Sequence, residues 1–311
     1  MKFCIISPCH NEGDIIERFL QRLESTVSSL DGEFHVVIVN DGSTDNTNAI
    51  LHNFQFSNQN IALSVIETKK NVGHQSAIYQ GMVFAAELAC DKFIIMDSDG
   101  EDDPKAIKEL VEVSDKDIVH VVRGKRSEGF IFKLFYFFYK LVFYVVTGKK
   151  MNFGNYCMVN KRILTIMVDS SFIHLAANLS KIKASKSEII FDRGKRIFGQ
   201  SKMNITSLVQ HGFKSLIEYS EDLLMIFLKV FVLILVMIGV FIIFVTYHKF
   251  VTKEAIPGWS SSLILSLVNM ALINFGFFAL GMMQLNLMQN LSKGKNIVYY
   301  NVIKSEKDGR G

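Results

Sequence analysis

The chain is poor in proline, with 3 in 311 residues, and carries one tryptophan and four cysteines. No internal repeat and no proline- or serine-rich linker divides it. Cys4, Cys9, Cys90 and Cys157 show no CxxC spacing, which argues against a zinc knuckle. Three of them lie in or beside apolar runs, as reduced, buried thiols of a cytosolic domain would. A massed basic patch is also missing. The net charge is +4 and the lysines are scattered, so a nucleic-acid partner is not expected. The N-terminus does not read as a signal peptide, because residues 3–6 are too short an apolar core and polar residues 7–14 follow at once.

The longest absence is of charge in the C-terminal third. Residues 230–247 carry none, and neither do residues 259–291. About 20 apolar residues suffice to cross a bilayer, so two transmembrane helices are predicted, forming a hairpin over 223–292. Lys293, Lys295, Lys304, Lys307 and Arg310 follow the hairpin, against Lys249 and Lys253 in its loop. The positive-inside rule then places the N-terminal part and the C-terminus in the cytoplasm. Two spans without ionisable groups offer no ion pathway, which argues against a channel.

Before position 129 the pattern is different. Apolar runs at 2–7, 34–39, 61–66, 93–96 and 117–122 read as strands, and helices are expected between them at 14–30, 45–54, 75–89 and 104–113. Such alternation predicts an α/β domain with a parallel sheet covered on both faces. In that architecture ligands sit beyond the carboxyl ends of the strands. The strand at 93–96 runs into five carboxylates within seven positions: Asp97, Asp99, Glu101, Asp102 and Asp103. Asp97 and Asp99, two apart at a strand end, can reach one divalent cation, and a cation there would be a counter-ion for phosphate. Asp102, Asp103 and Pro104 instead suit the first turn of a helix.

Residues 130–146 are almost wholly apolar and aromatic, with Lys133, Tyr136, Lys140 and Tyr144 on one helical face. A helix in the membrane interface is expected there, its lysines reaching toward headgroups. A strand at 154–159, a helix at 169–183, a basic loop at 193–202 and a second interfacial helix at 210–220 are predicted beyond it. His74 and His174 are candidate site residues that also read as ordinary loop or surface histidines.

Ser7-Pro8-Cys9-His10-Asn11-Glu12, Val39-Asn40-Asp41-Gly42-Ser43-Thr44-Asp45, Asn71-Val72-Gly73 and Asp97-Ser98-Asp99 occur in this order. Together they resemble the family 2 glycosyltransferases, a likeness spanning roughly residues 1–203. Arg196-Ile197-Phe198-Gly199-Gln200-Ser201-Lys202 further resembles the RxxGxSK segment of polyprenyl-phosphate sugar transferases of the dolichyl-phosphate-mannose synthase type. The resemblance implies a GT-A (nucleotide-diphospho-sugar transferase) Rossmann-like domain, to which interfacial helices and two transmembrane helices are added. It divides the chain into a nucleotide-sugar core (1–129), an acceptor part (130–222), the membrane hairpin (223–292) and a basic tail (293–311).

By position, the resemblance assigns Pro8, Asn11 and Glu12 to the nucleotide pocket, Asp41 to the base edge and Gly42 to close approach of the ligand. Asp97 and Asp99, with Glu101, would hold Mg²⁺ or Mn²⁺ on the diphosphate. Arg126, Arg196 and Lys202 would meet phosphate groups. The expected partners are a nucleotide-diphosphate sugar, polyprenyl phosphate and the lipid bilayer, and a homo-oligomer is left open. Gly154-Asn155 departs from relatives that carry an acidic residue after the glycine, and an amide is no base. Transfer to the hydroxyl of a lipid-linked saccharide is the alternative activity, and it would need such a base. A non-catalytic membrane scaffold would have lost the acidic pair, which is intact.

Overall fold

The computed structural model describes residues 1–123, 140–141, 143–148, 153–191, 215–252, 258–291 and 299–304. The chain forms two compact units: Met1–Lys140, Lys150–Glu218 and Gly294–Gly311 in one, Leu141–Lys149 and Tyr219–Lys293 in the other.

The first unit runs β1 (Lys2–Cys9), α1 (Ile16–Val27), β2 (Glu33–Asn40), α2 (Thr47–Asn53), β3 (Ile61–Thr68), α3 (His74–Ala85), β4 (Lys92–Ile95) and α4 (Ala106–Glu112). It continues with β5 (Ile118–Arg123), β6 (Phe153–Asn160), α5 (Lys161–Ser170), α6 (Leu175–Lys181), β7 (Lys186–Phe191) and, from the end of the chain, β8 (Tyr299–Lys304). These strands make one sheet in the order β7-β5-β6-β4-β1-β2-β3-β8.

The continuous apolar runs follow from a sheet buried on both faces. Side chains alternate along a strand, so Phe3 and Ile5 of β1 join Phe34, Val36 and Ile38 of β2 beneath α1 and α4. Cys4 and Ile6 join Val37, Val39, Phe93 and Ile95 beneath α3, α5 and α6. Each such side chain, removed from water, contributes about 1.5–3 kcal/mol.

β1 to β4 pair in parallel, as the alternation predicts. β6 departs from it, lying antiparallel between β4 and β5, and β8 lies antiparallel to β3. A parallel neighbour needs a crossover that returns the chain to the same edge. β6 and β8 each enter after a long excursion, which leaves their direction free. The stretch expected as a basic tail therefore supplies an outer strand, where Asn301 Nδ2 donates to Glu67 Oε2 at 2.8 Å.

The helix expected at 169–183 is only the shorter α6, while α5, at Lys161–Ser170, was not expected and ends as that range begins, the two helices meeting at 111°. Ser171 takes a left-handed φ of 52°, which ends α5. His174 then caps α6, its Nδ1 accepting from Ala177 N at 3.3 Å. Asn160 caps α5 in the same way, accepting from Ile163 N at 2.9 Å.

The second unit holds α7 (Ser220–Tyr247), a π-helical turn (His248–Thr252) and α8 (Trp259–Leu291). At 28 and 33 residues the helices run about 42 and 50 Å, beyond the ~30 Å of a bilayer core. Both are long and apolar enough to cross a membrane. They pack through Phe231 and Phe275, whose ring centroids lie 5.2 Å apart, and through Gly281, where a Cβ would collide with Leu224. Small residues at such crossings let two helices in lipid approach closely. The expected interfacial helix at 130–146 falls mostly outside the described residues, although 143–147 is helical.

Candidate active site

The loops that carry the sequence motifs meet at the carboxyl edge of β1 to β4. Cys9 of β1 stands beside Asn40 of β2, and Asn40 beside Glu67 of β3. β4 stops earlier, with Ile95 opposite Ile6, so the chain after it folds beneath the end of β1. Ser98 Oγ donates to the carbonyl of Pro8 at 2.8 Å and fixes that crossing.

The β1 and β2 loops are stitched together. Ser43 Oγ accepts from Asn11 N at 3.0 Å, and Asn11 Oδ1 accepts from Thr44 N at 2.8 Å. Thr47 Oγ1 accepts from Glu12 N at 2.9 Å, and Asp45 Oδ2 from Gly13 N at 3.0 Å. Asn11 adopts φ of 53°, a conformation asparagine tolerates better than most side chains. Pro8, Asn11 and Glu12 are thus brought to one loop cluster with Asp41 and Gly42.

Asp41 is buried, and its carboxylate holds the β3 loop. Oδ1 accepts from Val72 N at 2.7 Å and from Thr68 Oγ1 at 3.1 Å, and Oδ2 accepts from Gly73 N at 3.0 Å. A carboxylate offers about four acceptor positions, so Oδ2 keeps one for a further donor. Gly42 has φ of 60°, and a Cβ there would lie 2.6 Å from the Lys70 carbonyl carbon. Only glycine lets the two loops cross at this point. Nothing in the sequence alone showed that Asp41 would bind Val72 and Gly73.

At the acidic end, Asp102 Oδ2 accepts from Asp97 N at 3.0 Å and Asp99 Oδ1 from Glu101 N at 2.9 Å. Asp103 behaves as a helix-start residue, accepting from Lys105 N at 3.1 Å and pairing with Arg22 at 3.0 Å. Asp102 folds back on the Asp97 turn instead. Asp97 and Asp99 stay partly exposed at the strand end. Among the described residues no three His, Cys, Asp or Glu side chains converge as a complete metal cage. This donor set suits a hard cation that takes one or two carboxylates and completes its shell with water and phosphate oxygens.

His74, at the start of α3, is the histidine that belongs here. Its Nε2 lies 3.2 Å from Asp97 Oδ1 and 3.0 Å from Asn155 Nδ2. Burial works against its charge, but Asp97, then Asp99 and Asp102, outweigh burial and push the imidazole up to about 9. Asp97 therefore favours a proton on Nε2, whereas Asn155 favours a lone pair there. Gln75 Nε2 donates to Asn155 Oδ1 at 3.2 Å, and Gln75 Oε1 accepts from Leu175 N at 2.6 Å. The sequence marked Asn155 as a departure from relatives but gave no sign that it meets His74. His174, the other candidate, serves as the cap of α6. Arg126, Arg196 and Lys202 lie outside the described residues.

The family model for glycosyl transferase family 2 matches residues 4–165. The undecaprenyl-phosphate 4-deoxy-4-formamido-L-arabinose transferase of Serratia proteamaculans is 27% identical over 67% of this chain and 64% of its own length. The uncharacterized glycosyltransferase YkcC of Bacillus subtilis is 23% identical over 86% of this chain and 84% of its own. Among solved structures, glucosyl-3-phosphoglycerate synthase from Mycobacterium tuberculosis, in complex with Mn²⁺, UDP-glucose and phosphoglyceric acid, superposes with a TM-score of 0.51. It is 13% identical over 71% of this chain and 79% of its own. Mannosyl-3-phosphoglycerate synthase from Rubrobacter xylanophilus gives 0.50, at 11% identity over 72% of this chain and 74% of its own. The sheet is that of the GT-A fold, and with the family match covering more than half of its length the chain belongs to glycosyl transferase family 2.

Proposed function

We propose that this glycosyltransferase moves a sugar from a nucleoside diphosphate to the phosphate of a membrane polyprenyl chain, with inversion at the anomeric carbon. The observation that carries the reading is an acidic strand end, Asp97 and Asp99, at the ligand-binding edge of a chain with two membrane-length helices. The Serratia relative, named for undecaprenyl phosphate, supports the acceptor class.

Pro8, Asn11, Glu12, Asp41 and Gly42 surround the nucleotide, Asp41 offering the open position on Oδ2 to a base N–H. Asp97 and Asp99, with Glu101, would hold Mg²⁺ or Mn²⁺, and the Mycobacterium enzyme's Mn²⁺ complex supports this. Held there, such a cation would supply positive charge to the leaving diphosphate. Arg126 meets the donor phosphates, and Arg196 and Lys202 hold the acceptor phosphate.

An acceptor oxygen attacks the anomeric carbon while the bond to the nucleoside diphosphate breaks on the opposite face. The products are a sugar phosphodiester and a nucleoside diphosphate. A phosphate monoester loses its second proton near pH 6, so the nucleophile arrives ionised. No general base is required, which agrees with an amide, Asn155, beside His74 and Asp97.

β8 follows both membrane-length helices in the chain and pairs with β3. That connectivity supports a hairpin whose two ends lie on the catalytic side, and the charge bias supports the cytoplasm as that side. The test is incubation of membranes with labelled nucleotide sugars and polyprenyl phosphate. Acid-labile label in the lipid fraction is expected, and Lys202→Ala should raise the KM for polyprenyl phosphate. Label appearing only on a pre-existing lipid-linked saccharide would overturn the acceptor assignment.

A further inference from the structure

Glu218 stands two residues before α7 in the chain, and its carboxylate is taken up by the loop ahead of α6. Oε2 accepts from Ile173 N at 2.8 Å and His174 N at 3.2 Å, and Oε1 accepts from Asn178 Nδ2 at 2.8 Å. The Glu218 carbonyl accepts from Lys181 Nζ at 2.7 Å. The residue after His174 is Leu175, whose N–H goes to Gln75 Oε1.

That backbone N–H can only donate, and this fixes the sense of everything beyond it. Gln75 must turn its oxygen to Leu175 and its Nε2 to Asn155. Asn155 must in turn present Oδ1 to Gln75 and Nδ2 to His74, beside Asp97. Gln75 is buried, so water does not readily replace either partner.

We propose that Gln75 and Glu218 are positioning residues, and that they tie the chain leading into the first membrane-length helix to the Asp97 end of the donor site. The inference rests on the reading of Asp97 as part of that site. Neither residue touches a reactant. Glu218 sets the loop and the start of α6, Gln75 relays that position into the orientation of the Asn155 amide, and Asn155 sets the His74 ring against Asp97.

The test is a double-substitution cycle in the full-length protein in lipid nanodiscs, using Gln75→Leu, Glu218→Ala and the pair. The first readout is the ¹⁵N resonance of the His74 ring, which does not depend on the identity of donor or acceptor. Both single variants should shift it, and the pair should shift it no further than the larger single change. The second readout is kcat against KM for nucleotide-sugar turnover. Each single variant should lower kcat about tenfold at near-constant KM, with the pair no worse, since residues in one chain of contacts are not additive. Glu218→Gln, which keeps a carbonyl oxygen for the loop, should recover part of the loss. A His74 resonance unmoved by Glu218→Ala, or kcat losses that multiply in the pair, would overturn the proposal. Failure to label polyprenyl phosphate would instead count against the acceptor assignment, leaving the resonance shift to decide this one.

Discussion

Asp41 holds the β3 loop in this structure and is proposed to meet the nucleotide base, and replacing it distinguishes the two roles. Its carboxylate holds Val72 N, Gly73 N and Thr68 Oγ1, but these three donors do not depend on it equally. Gly73 N also reaches Asn71 Oδ1 at 2.9 Å, and the single proton of Thr68 Oγ1 can turn instead to the Lys70 carbonyl at 2.9 Å. Asp41→Ala therefore deprives chiefly Val72 N. A hydrogen bond to a charged group contributes about 1.5–3 kcal/mol, so the β3 loop should lose ~2 kcal/mol of local stability. At ~1.4 kcal/mol per decade that is about 30-fold faster amide exchange at Val72, with β2 and β3 unaffected.

Asp41→Asn should behave differently. The amide oxygen can keep Val72 and Thr68 while Nδ2 faces Gly73, which retains Asn71. The local cost should then be below ~1 kcal/mol, or about fivefold in exchange. Nucleotide affinity should fall in both variants, because both lose the open acceptor position on Oδ2. The assays are hydrogen exchange read by mass spectrometry over 69–75 and nucleoside diphosphate titration in detergent. If Asp41→Ala left Val72 protected, or if Asn raised exchange as much as Ala, the loop-holding argument would be wrong. If Asn bound nucleotide normally, the base-edge role would be wrong.

Asp97→Asn and Asp99→Asn should each lower sugar transfer by about 10² or more while circular dichroism stays native, because preorganised charge at the leaving group is lost. Full turnover in excess chelator would refute the metal assignment to this pair. Removal of residues 299–311 should uncover the β3 edge and release Ile303 and Asn301, so the detergent-purified protein should melt earlier and self-associate on gel filtration. A truncated protein with unchanged melting and elution would show that β8 does not protect that edge.

The part of the fold that could be read from the sequence is the part whose signal is local. The apolar runs of β1 to β4 announce a sheet covered on both faces, and each ends in a turn-forming motif that marks the ligand edge. The two uncharged runs are equally direct, since length and composition alone set what a bilayer accepts. What escaped depends on partners far away in the chain. Residues 299–304, Tyr-Tyr-Asn-Val-Ile-Lys, do carry strand-forming side chains that the reading as a basic tail passed over, but their partner β3 lies more than two hundred residues away, as the Asn301–Glu67 bond shows. The break between α5 and α6 rests on Ser171 adopting positive φ and on His174 turning inward as a cap, whereas the sequence reading placed a single helix at 169–183 and none at 161–168.

The site divides along the same line. The residues in the four motifs are found together because each lies in the loop directly after its own strand, so chain order alone delivers them to one edge. Gln75, Asn155 and Glu218 carry no motif, and their relation appears only when α6 is placed beside α3. Their geometry nevertheless bears on Asn155, a position at which the motif pattern failed. An acid at 155 would meet Gln75 Nε2 with one oxygen and His74 with the other, adding charge beside Asp97. The amide keeps the same connections without that charge. It suits the proposed reaction, in which the nucleophile would arrive already ionised and the carboxylates would serve the leaving group.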